Sequence, residues 1–446
     1  MMKQTQYVLF VNPWIHDFAA YDLFYRPLGL LYLAEAFMQE DIHVTLVDLL
    51  DRFHPQWADK FPHQRDKKGG TGFFYREKIE KPTVLRHIPR YFCRYGVPKS
   101  DALSFFQKLD PPPNAIFVTS HMTYWYTGVL ETTRLLRTCF PNTPLILGGI
   151  YATLLPHHAK KVIQPDILVQ GNDFTNLQPW LKKSFNFTLP PFGTYPLRKV
   201  WDHYPILKNF PLLTSVGCPY HCAFCAGPSL HPTFVQFPVD SIVEDVAFGH
   251  DKKGIKDFVF YDDALFVKKE THMKPLLRKI LYQWNDLTFH TPNGLFARFI
   301  DKELAELMAK AHFYEPRVSL ETVSENHAEW VSRKVSRKIY EKAIHHLHTV
   351  GYKPHEIITY ILMGLPGQHP DEVLETVNVA FDAGSRVSLS AFSPVPHTPL
   401  WEKSKIKDLD DPLLQNNTVY WSMTNDYSAW DEIRLMVKEM NQKIKG

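Results

Sequence analysis

The chain has 446 residues, 45% hydrophobic and 14% aromatic, with a formal charge of +3. That much apolar material excludes a disordered chain, and the length argues for two or three domains. The near balance of charge gives no global sign of nucleic-acid or membrane binding. With no apolar N-terminal signal and no apolar run of eighteen residues, a cytoplasmic protein is expected.

The first block opens on an apolar strand, "YVLFVNP" (7–13), followed by a helical stretch, "RPLGLLYLAEAFMQ" (26–39), and "HVTLVDL" (43–49). It resumes with "AIFVTS" (115–120), an amphipathic helix through "TGVLETTRLLRTCF" (127–140), "PLILGG" (144–149) and "DILVQG" (166–171). Nearly all-apolar strands alternating with helices predict a parallel sheet covered on both faces, a Rossmann-like doubly wound domain over residues 1–185. Its ligand edge lies where strands end in loops, which selects Ser120, Gly148 and Gly149. The two glycines either admit a ligand to the backbone or serve only a tight turn.

An insert at 52–110 separates the two halves of that sheet. Residues 52–99 carry twelve Lys/Arg against four Asp/Glu, interleaved with Trp57, Phe73, Phe74, Tyr75, Tyr91 and Tyr95. Such a segment either contacts RNA or forms a cap that packs its aromatics on neighbouring surfaces. A charge run alone favours the cap, and no nucleic-acid partner is expected.

The second block, 205–400, repeats strand then helix six times: "LLTSV" (212–216), "DFVFYDD" (257–263), "TFHTPNG" (288–294), "RVSLETV" (317–323), "IITYILMGL" (357–365) and "RVSLSAFSPV" (386–395). With right-handed crossovers, these repeats curl towards a partial (β/α)6 barrel of the TIM type, whose chemistry sits at the C-terminal strand ends. The remaining residues, 401–446, end in an amphipathic stretch expected to form a helix that closes the open side.

Directly after the first strand of this block comes "SVGCPYHCAFC" (215–225), holding Cys218, Cys222 and Cys225. A reducing compartment disfavours disulfides. A structural zinc ion wants four ligands, and the only fourth at hand is His221, the immediate neighbour of Cys222. An iron–sulfur cube tolerates three thiolates better, since each corner iron is held separately and one can stay open. Cluster, zinc and inert loop all remain as readings, the ligand rules favouring the first. Cys93 and Cys139 stand alone and read as ordinary buried thiols.

These residues resemble the radical S-adenosylmethionine (SAM) superfamily, whose CxxxCxxC signature is matched by Cys218, Cys222 and Cys225 with Phe224 before the last cysteine. "YDDALF" (261–266), "SLET" (319–322), "MGLPGQ" (363–368) and "SPVPHTPLW" (393–401) fall at strand ends where such enzymes carry similar motifs. The last two look like "GxPGE" and "SPxPGTP", with Gln368 and His397 as departures. The N-terminal block, with "RPLGLLYLAEAF" and "LGGIYAT", is similar to the cobalamin-binding-type domain fused to many members.

The resemblance implies an enzyme with a 4Fe-4S cluster held by the three cysteines, S-adenosylmethionine chelated at the open iron, and reductive cleavage to a 5′-deoxyadenosyl radical. It further implies methylation or rearrangement at an unactivated carbon of a small-molecule substrate, linked to cobalamin, with a flavodoxin- or ferredoxin-type electron donor. By motif position Phe224 lies by the adenine, Asp262 or Asp263 near the methionine amino group, Ser319 and Glu321 near polar atoms of the cofactor, and Gly364 against the adenine. A DxHxxG cobalt-ligand motif is absent, "NPWIHDF" (12–18) standing in its place, so His16 and His121 are weak candidates for an axial ligand. A tRNA methylthiotransferase would need three more cysteines where only Cys93 and Cys139 remain. A sensor that binds cluster and S-adenosylmethionine without turnover is the non-enzymatic alternative.

Overall fold

The first apolar run forms β1 (Tyr7–Asn12), with all six residues buried. In the computed structural model, which describes residues 6–327, 335–423 and 427–444, β1 lies between β2 (His43–Asp48) and β3 (Ala115–Val118). The sheet continues through β4 (Leu145–Leu147) to β5 (Ile167–Leu168), giving the order β5-β4-β3-β1-β2 with every pair parallel. Because the chain runs from β1 to one side and then crosses to the other, a crevice opens at the C-terminal ends of β1 and β3.

This unit comprises Met1–Leu207 with Asp411–Leu414, and a second comprises Lys208–Asp410 with Gln415–Gly446. The first reaches past residue 185 because Glu35, fully buried on the helix Leu28–Gln39, accepts from the backbone N–H groups of Arg198, Lys199 and Val200 at 2.9, 3.3 and 2.9 Å. A buried carboxylate needs such donors, and the chain leaving the sheet supplies them.

The basic insert folds onto this unit as a cap. Cys93–Tyr95 pairs antiparallel with both Ile15–Asp17 and Arg76–Lys78. Trp57, Phe74 and Tyr95 are buried, and Trp57 Nε1 donates to Asp51 O at 2.9 Å. Arg52 is wholly buried; it donates to Gly70 O and Phe73 O and pairs with Asp22 and Asp66. Several of the insert's aromatics and Arg52 are therefore spent inside the fold, while most of its other cations, with Phe73 and Tyr91, stay exposed.

The second unit holds β6 (Phe210–Leu212), β7 (Asp257–Phe260), β8 (Thr288–His290), β9 (Leu295–Phe296), β10 (Phe313–Tyr314), β11 (Arg317–Glu321), β12 (Ile358–Met363) and β13 (Arg386–Ala391). They pair in parallel as two sheets, β6-β7-β8-β10 and β9-β11-β12-β13. The expected third strand, 288–294, is cut short: β8 stops at His290, just before Pro292, which cannot donate to a ladder, and β9 follows as a separate strand of the other sheet. The fourth is preceded by a break at Glu315, whose φ is +47°. Strand order otherwise follows chain order, with helices Val239–Ala247, Met273–Gln283, Lys302–Lys310, Arg337–Thr349 and Pro370–Asp382 between strands.

One boundary differs from the sequence expectation. The run 212–216 is not one strand: β6 ends at Leu212, and Ser215–Val216 pairs antiparallel with Val235–Gln236 as a separate ribbon beside the cysteine loop. At the far edge Asn441, on the helix Tyr427–Ile444, accepts from Val387 N–H at 2.9 Å and donates to Val387 O at 2.8 Å. One amide thus occupies both backbone groups of Val387 on an edge strand. Among the described residues no helix is long and apolar enough to cross a membrane.

Candidate active site

The cysteine loop begins at Gly217, whose φ of +79° and whose clearance from Thr233 O, 2.5 Å from where a Cβ would sit, both require glycine. It ends at the short helix Gly227–Leu230. Cys222 is buried, Cys218 half-buried and Cys225 exposed, and no disulfide involves them. The N–H of Cys225 donates to Cys222 O at 3.0 Å, a turn that draws these two together, and the N–H of Gly227 donates to Cys225 Sγ at 3.3 Å. Cys218 and Tyr220 pack against Ala264, Val267 and Phe296, the Tyr220 and Phe296 rings 5.2 Å apart.

Among the described residues no three His, Cys, Asp or Glu side chains converge on one point as a finished ion site. His221 is exposed. What the loop offers is three thiols within eight positions, an apolar wall and a backbone N–H aimed at sulfur. That donor set fits an iron–sulfur cluster, whose irons are bound singly by thiolates and whose potential is tuned by N–H···S bonds and a dry surround.

The other expected residues lie at the same, C-terminal, strand edge. Glu321 ends β11 with φ +65°, next to a register shift between Ser319 and Glu321 that re-aims its side chain. Ser319 is buried where Gly294 approaches so closely that a Cβ there would fall 1.9 Å from Ser319 Oγ. Gly364 follows β12 with φ +80° and open space where a side chain would stand. Phe224 is half-buried and Asp263 exposed.

Asp262 departs from its expected role. Its Oδ1 accepts from Thr214 Oγ1 at 2.7 Å and Ser215 Oγ at 2.6 Å, and its Oδ2 from Thr214 N–H at 3.1 Å. Burial raises its pKa, against these hydrogen bonds, which lower it. Both oxygens serve the scaffold that launches the cysteine loop, which leaves Asp263 as the acid of the pair facing outwards. Sequence reasoning also passed over Asn293, which donates to Tyr261 O and Asp262 O at 3.1 and 3.2 Å. The "PNG" turn that carries it was readable as a strand breaker.

In the first unit Ser120, Gly148 and Gly149 do come together. Ser120 Oγ donates to Gly148 O at 2.6 Å and accepts from Ala152 N–H at 3.2 Å. Gly149 has φ +94°, and a Cβ there would meet Ser120 O at 2.2 Å, whereas at Gly148 it would meet only Val169, at 3.8 Å. Beside them a buried polar network joins the ends of β1 and β2. Asn12 Nδ2 donates to Asp48 Oδ1 at 2.6 Å, and Tyr204 OH to Asp48 Oδ2 at 2.9 Å. Asn12 Oδ1 is met at 3.3 Å by both Tyr25 OH and His121 Nε2. Burial lifts the Asp51 carboxyl to about 6 despite Arg26, which lies 3.9 Å away and pulls it down. His16 is taken up elsewhere, its Nε2 2.9 Å from Glu131.

Residues 212–380 match the family model described as the Radical SAM superfamily. The second unit therefore carries a radical SAM domain. Among known sequences, the chain is 25% identical over 279 residues to cytidylyl-2-hydroxyethylphosphonate methyltransferase of Streptomyces wedmorensis, covering 55% of this chain and 50% of that protein. It is 24% identical over 339 residues to an uncharacterized methyltransferase of Pyrococcus horikoshii, 68% of this chain and 71% of that one. The chain thus spans about half the length of the first relative. Among solved structures, the radical S-adenosylmethionine methyltransferase TsrM of Kitasatospora setae, with tryptophan substrate and a SAM analogue, superposes with TM-score 0.63 at 17% identity, covering 89% of this chain and 75% of that one. The same enzyme with cobalamin and a [4Fe-4S] cluster gives 0.62 at 18% identity, over 89% and 74%. At that identity the likeness speaks for the fold.

Proposed function

We propose that the chain is a radical S-adenosylmethionine enzyme, with Cys218, Cys222 and Cys225 as thiolate ligands of a 4Fe-4S cluster, and that it methylates an unactivated carbon of a small molecule with the help of cobalamin. The observation that carries the reading is the cysteine loop itself, leaving the first strand of the radical SAM domain with a backbone N–H on Cys225 Sγ. When bound, the cluster supplies one electron that breaks the sulfonium sulfur–C5′ bond of S-adenosylmethionine, releasing methionine and the 5′-deoxyadenosyl radical. A reduced flavodoxin or ferredoxin would deliver that electron.

The chain's own residues hold and orient. Glu321, its backbone left-handed, and Ser319 offer polar groups to the ribose and methionine, Gly364 leaves room against the adenine, Phe224 flanks it, and Asp263 is the acid available to the methionine amino group. We take 205–400 as a partial (β/α)6 barrel around this site; parallel strands that follow one another nearly in chain order, with helices between them, support that reading. Residues 1–185 serve as the cobalamin-binding-type domain, with Ser120, Gly148 and Gly149 at its ligand edge; the strand order and the likeness to TsrM support that use. The relatives named as methyltransferases favour methylation over rearrangement.

The experiment is anaerobic reconstitution with iron and sulfide, then reduction in the presence of S-adenosylmethionine. A brown protein that forms 5′-deoxyadenosine is expected. Binding of S-adenosylmethionine with no 5′-deoxyadenosine would identify a sensor, and a colourless zinc protein would end the proposal altogether.

A further inference from the structure

Side chains along β11 to β13 alternate between two faces. Val318, Leu320, Thr359, Ile361 and Val387 are buried, and Thr359 Oγ1 meets Tyr340 OH of the helix Arg337–Thr349 at 2.7 Å, so this set faces the helices. The opposite set includes Arg317, Ser319, Tyr360, Ser388 and Ser390, with Ser319, Tyr360 and Ser388 side by side in register. A barrel interior that serves as core is filled with branched apolar residues. This face mixes those polar groups with the buried Phe296, Ile358 and Leu362, and Tyr360, Ser388 and Ser390 keep part of their surface open.

One group on it stands out by its charge. Arg317 is half-buried, its Nη1 donates to Tyr360 OH at 2.8 Å, and that hydroxyl donates to Pro292 O at 2.9 Å. The other arginine on this face is matched: Arg386 pairs with Glu315 at 2.8 Å. Among the described residues no carboxylate lies within ion-pair distance of Arg317, whose one side-chain hydrogen bond is the one to Tyr360. A guanidinium carries five donors, and those of Arg317 that Tyr360 does not take are not shut away from solvent, so they stay open to an incoming anion.

We propose that the substrate carries an oxyanion, carboxylate or phosphoryl, that docks on Arg317, with Tyr360 fixing the guanidinium and Ser388 beside it. This rests on the reading of the second unit as the catalytic one. The anion is not the carboxylate of S-adenosylmethionine: Arg317 opens β11, four residues before Glu321, roughly 13 Å along the strand from the edge where the cysteine loop lies. The bound group would therefore anchor the end of the substrate remote from the reacting carbon.

Inorganic phosphate is the probe, added to the full chain in thermal-shift titrations against sodium chloride of equal ionic strength. Stabilisation beyond chloride is expected for the native protein, with the apparent Kd raised at least about tenfold in Arg317→Gln and unchanged in Arg434→Gln, which alters an exposed arginine elsewhere. Should Arg317→Gln fail to fold, Tyr360→Phe, which frees the guanidinium, must also weaken phosphate binding. No phosphate effect beyond chloride, or the same effect in native and altered proteins, overturns the site. Formation of 5′-deoxyadenosine without phosphate binding removes the anion site alone; phosphate binding without 5′-deoxyadenosine removes the enzymatic reading and leaves the anion site standing.

Discussion

Gln368 Oε1 accepts the backbone N–H of Gly364 at 2.8 Å and, as a second donor, that of Leu365 at 3.1 Å. Its Nε2 reaches back to Leu362 O at 3.4 Å, so one buried side chain braces the turn after β12 from both directions. The residue that looked like a departure from a glutamate motif therefore supplies the same acceptor. Gln368→Ala would leave two buried N–H groups unpaired, at a cost of about 2 kcal/mol, and loosen Gly364, which the proposed function sets against the adenine. The expected result is a raised KM for S-adenosylmethionine in 5′-deoxyadenosine assays, with Gln368→Glu close to the native protein. An unchanged KM in the alanine variant would separate Gly364 from cofactor binding.

Asp262 supports a different expectation. It takes three hydrogen bonds from Thr214 and Ser215 and no solvent reaches it. Asp262→Ala strands those donors and should lower stability by about 3 kcal/mol, with less iron taken up on reconstitution because the loop's launch point loosens. Asp262→Asn, which keeps an acceptor, should fall in between. Denaturant unfolding and iron content measure both; a stable, cluster-loaded alanine variant that merely binds S-adenosylmethionine weakly would restore the cofactor-contact role to Asp262.

The adjacent glycines of the first unit separate two explanations that sequence alone left equal. At Gly149 the fold itself demands glycine, through φ +94° and the backbone of Ser120 at 2.2 Å. At Gly148 nothing in the fold does, the nearest atom to an added Cβ being 3.8 Å away. Gly149→Ala should cost several kcal/mol, on the order of a buried overpacking plus strain, whereas Gly148→Ala should alter stability by no more than about 0.5 kcal/mol. If Gly148 admits a ligand, its alanine variant will nonetheless take up less cobalamin, read from the visible spectrum after desalting.

Much of this was legible because the strands announce themselves twice, by apolar runs and by the polar or glycine residues at their ends. β1 to β4 and four of the six runs of the second unit fall where "YVLFVN", "AIFV", "DFVF" and "YILM" place them, while 212–216 and 288–294 do not form as single strands. What escaped was set by single side chains acting across long stretches of chain. The stop of β8 before Pro292 and the ribbon at Ser215–Val216 lie beside Asn293 and Asp262, whose side chains bind Tyr261 O and Thr214 N–H, loop groups distant in the chain. The network of Asn12, Asp48, Tyr25 and Tyr204 joins residues up to 192 positions apart, which no periodicity reveals. His397, noted only as an odd residue in a proline-rich motif, turns out to sit at φ +64°, the left-handed region where glycine is at ease. There His397→Gly should be neutral or mildly stabilising and His397→Val should cost about 1–2 kcal/mol, a contrast that thermal unfolding would reveal.

His121 lies at the C-terminal end of β3, its Nε2 3.3 Å from Asn12 Oδ1 and its ring edge-on to Tyr25. Burial pushes its pKa down to about 4. The folded pKa is thus below the unfolded value, so the unfolded chain takes up the proton first as the solution is acidified. The stabilisation is complete above about pH 6.5 and is lost as pH falls from there to about 4, by at most about 3 kcal/mol. His121→Gln removes the titration but not the polar contact. Unfolding free energies measured at pH 7 and pH 5 should therefore fall more steeply for the native protein than for the variant. Parallel slopes would mean that His121 accepts a proton within the fold as readily as in the unfolded chain.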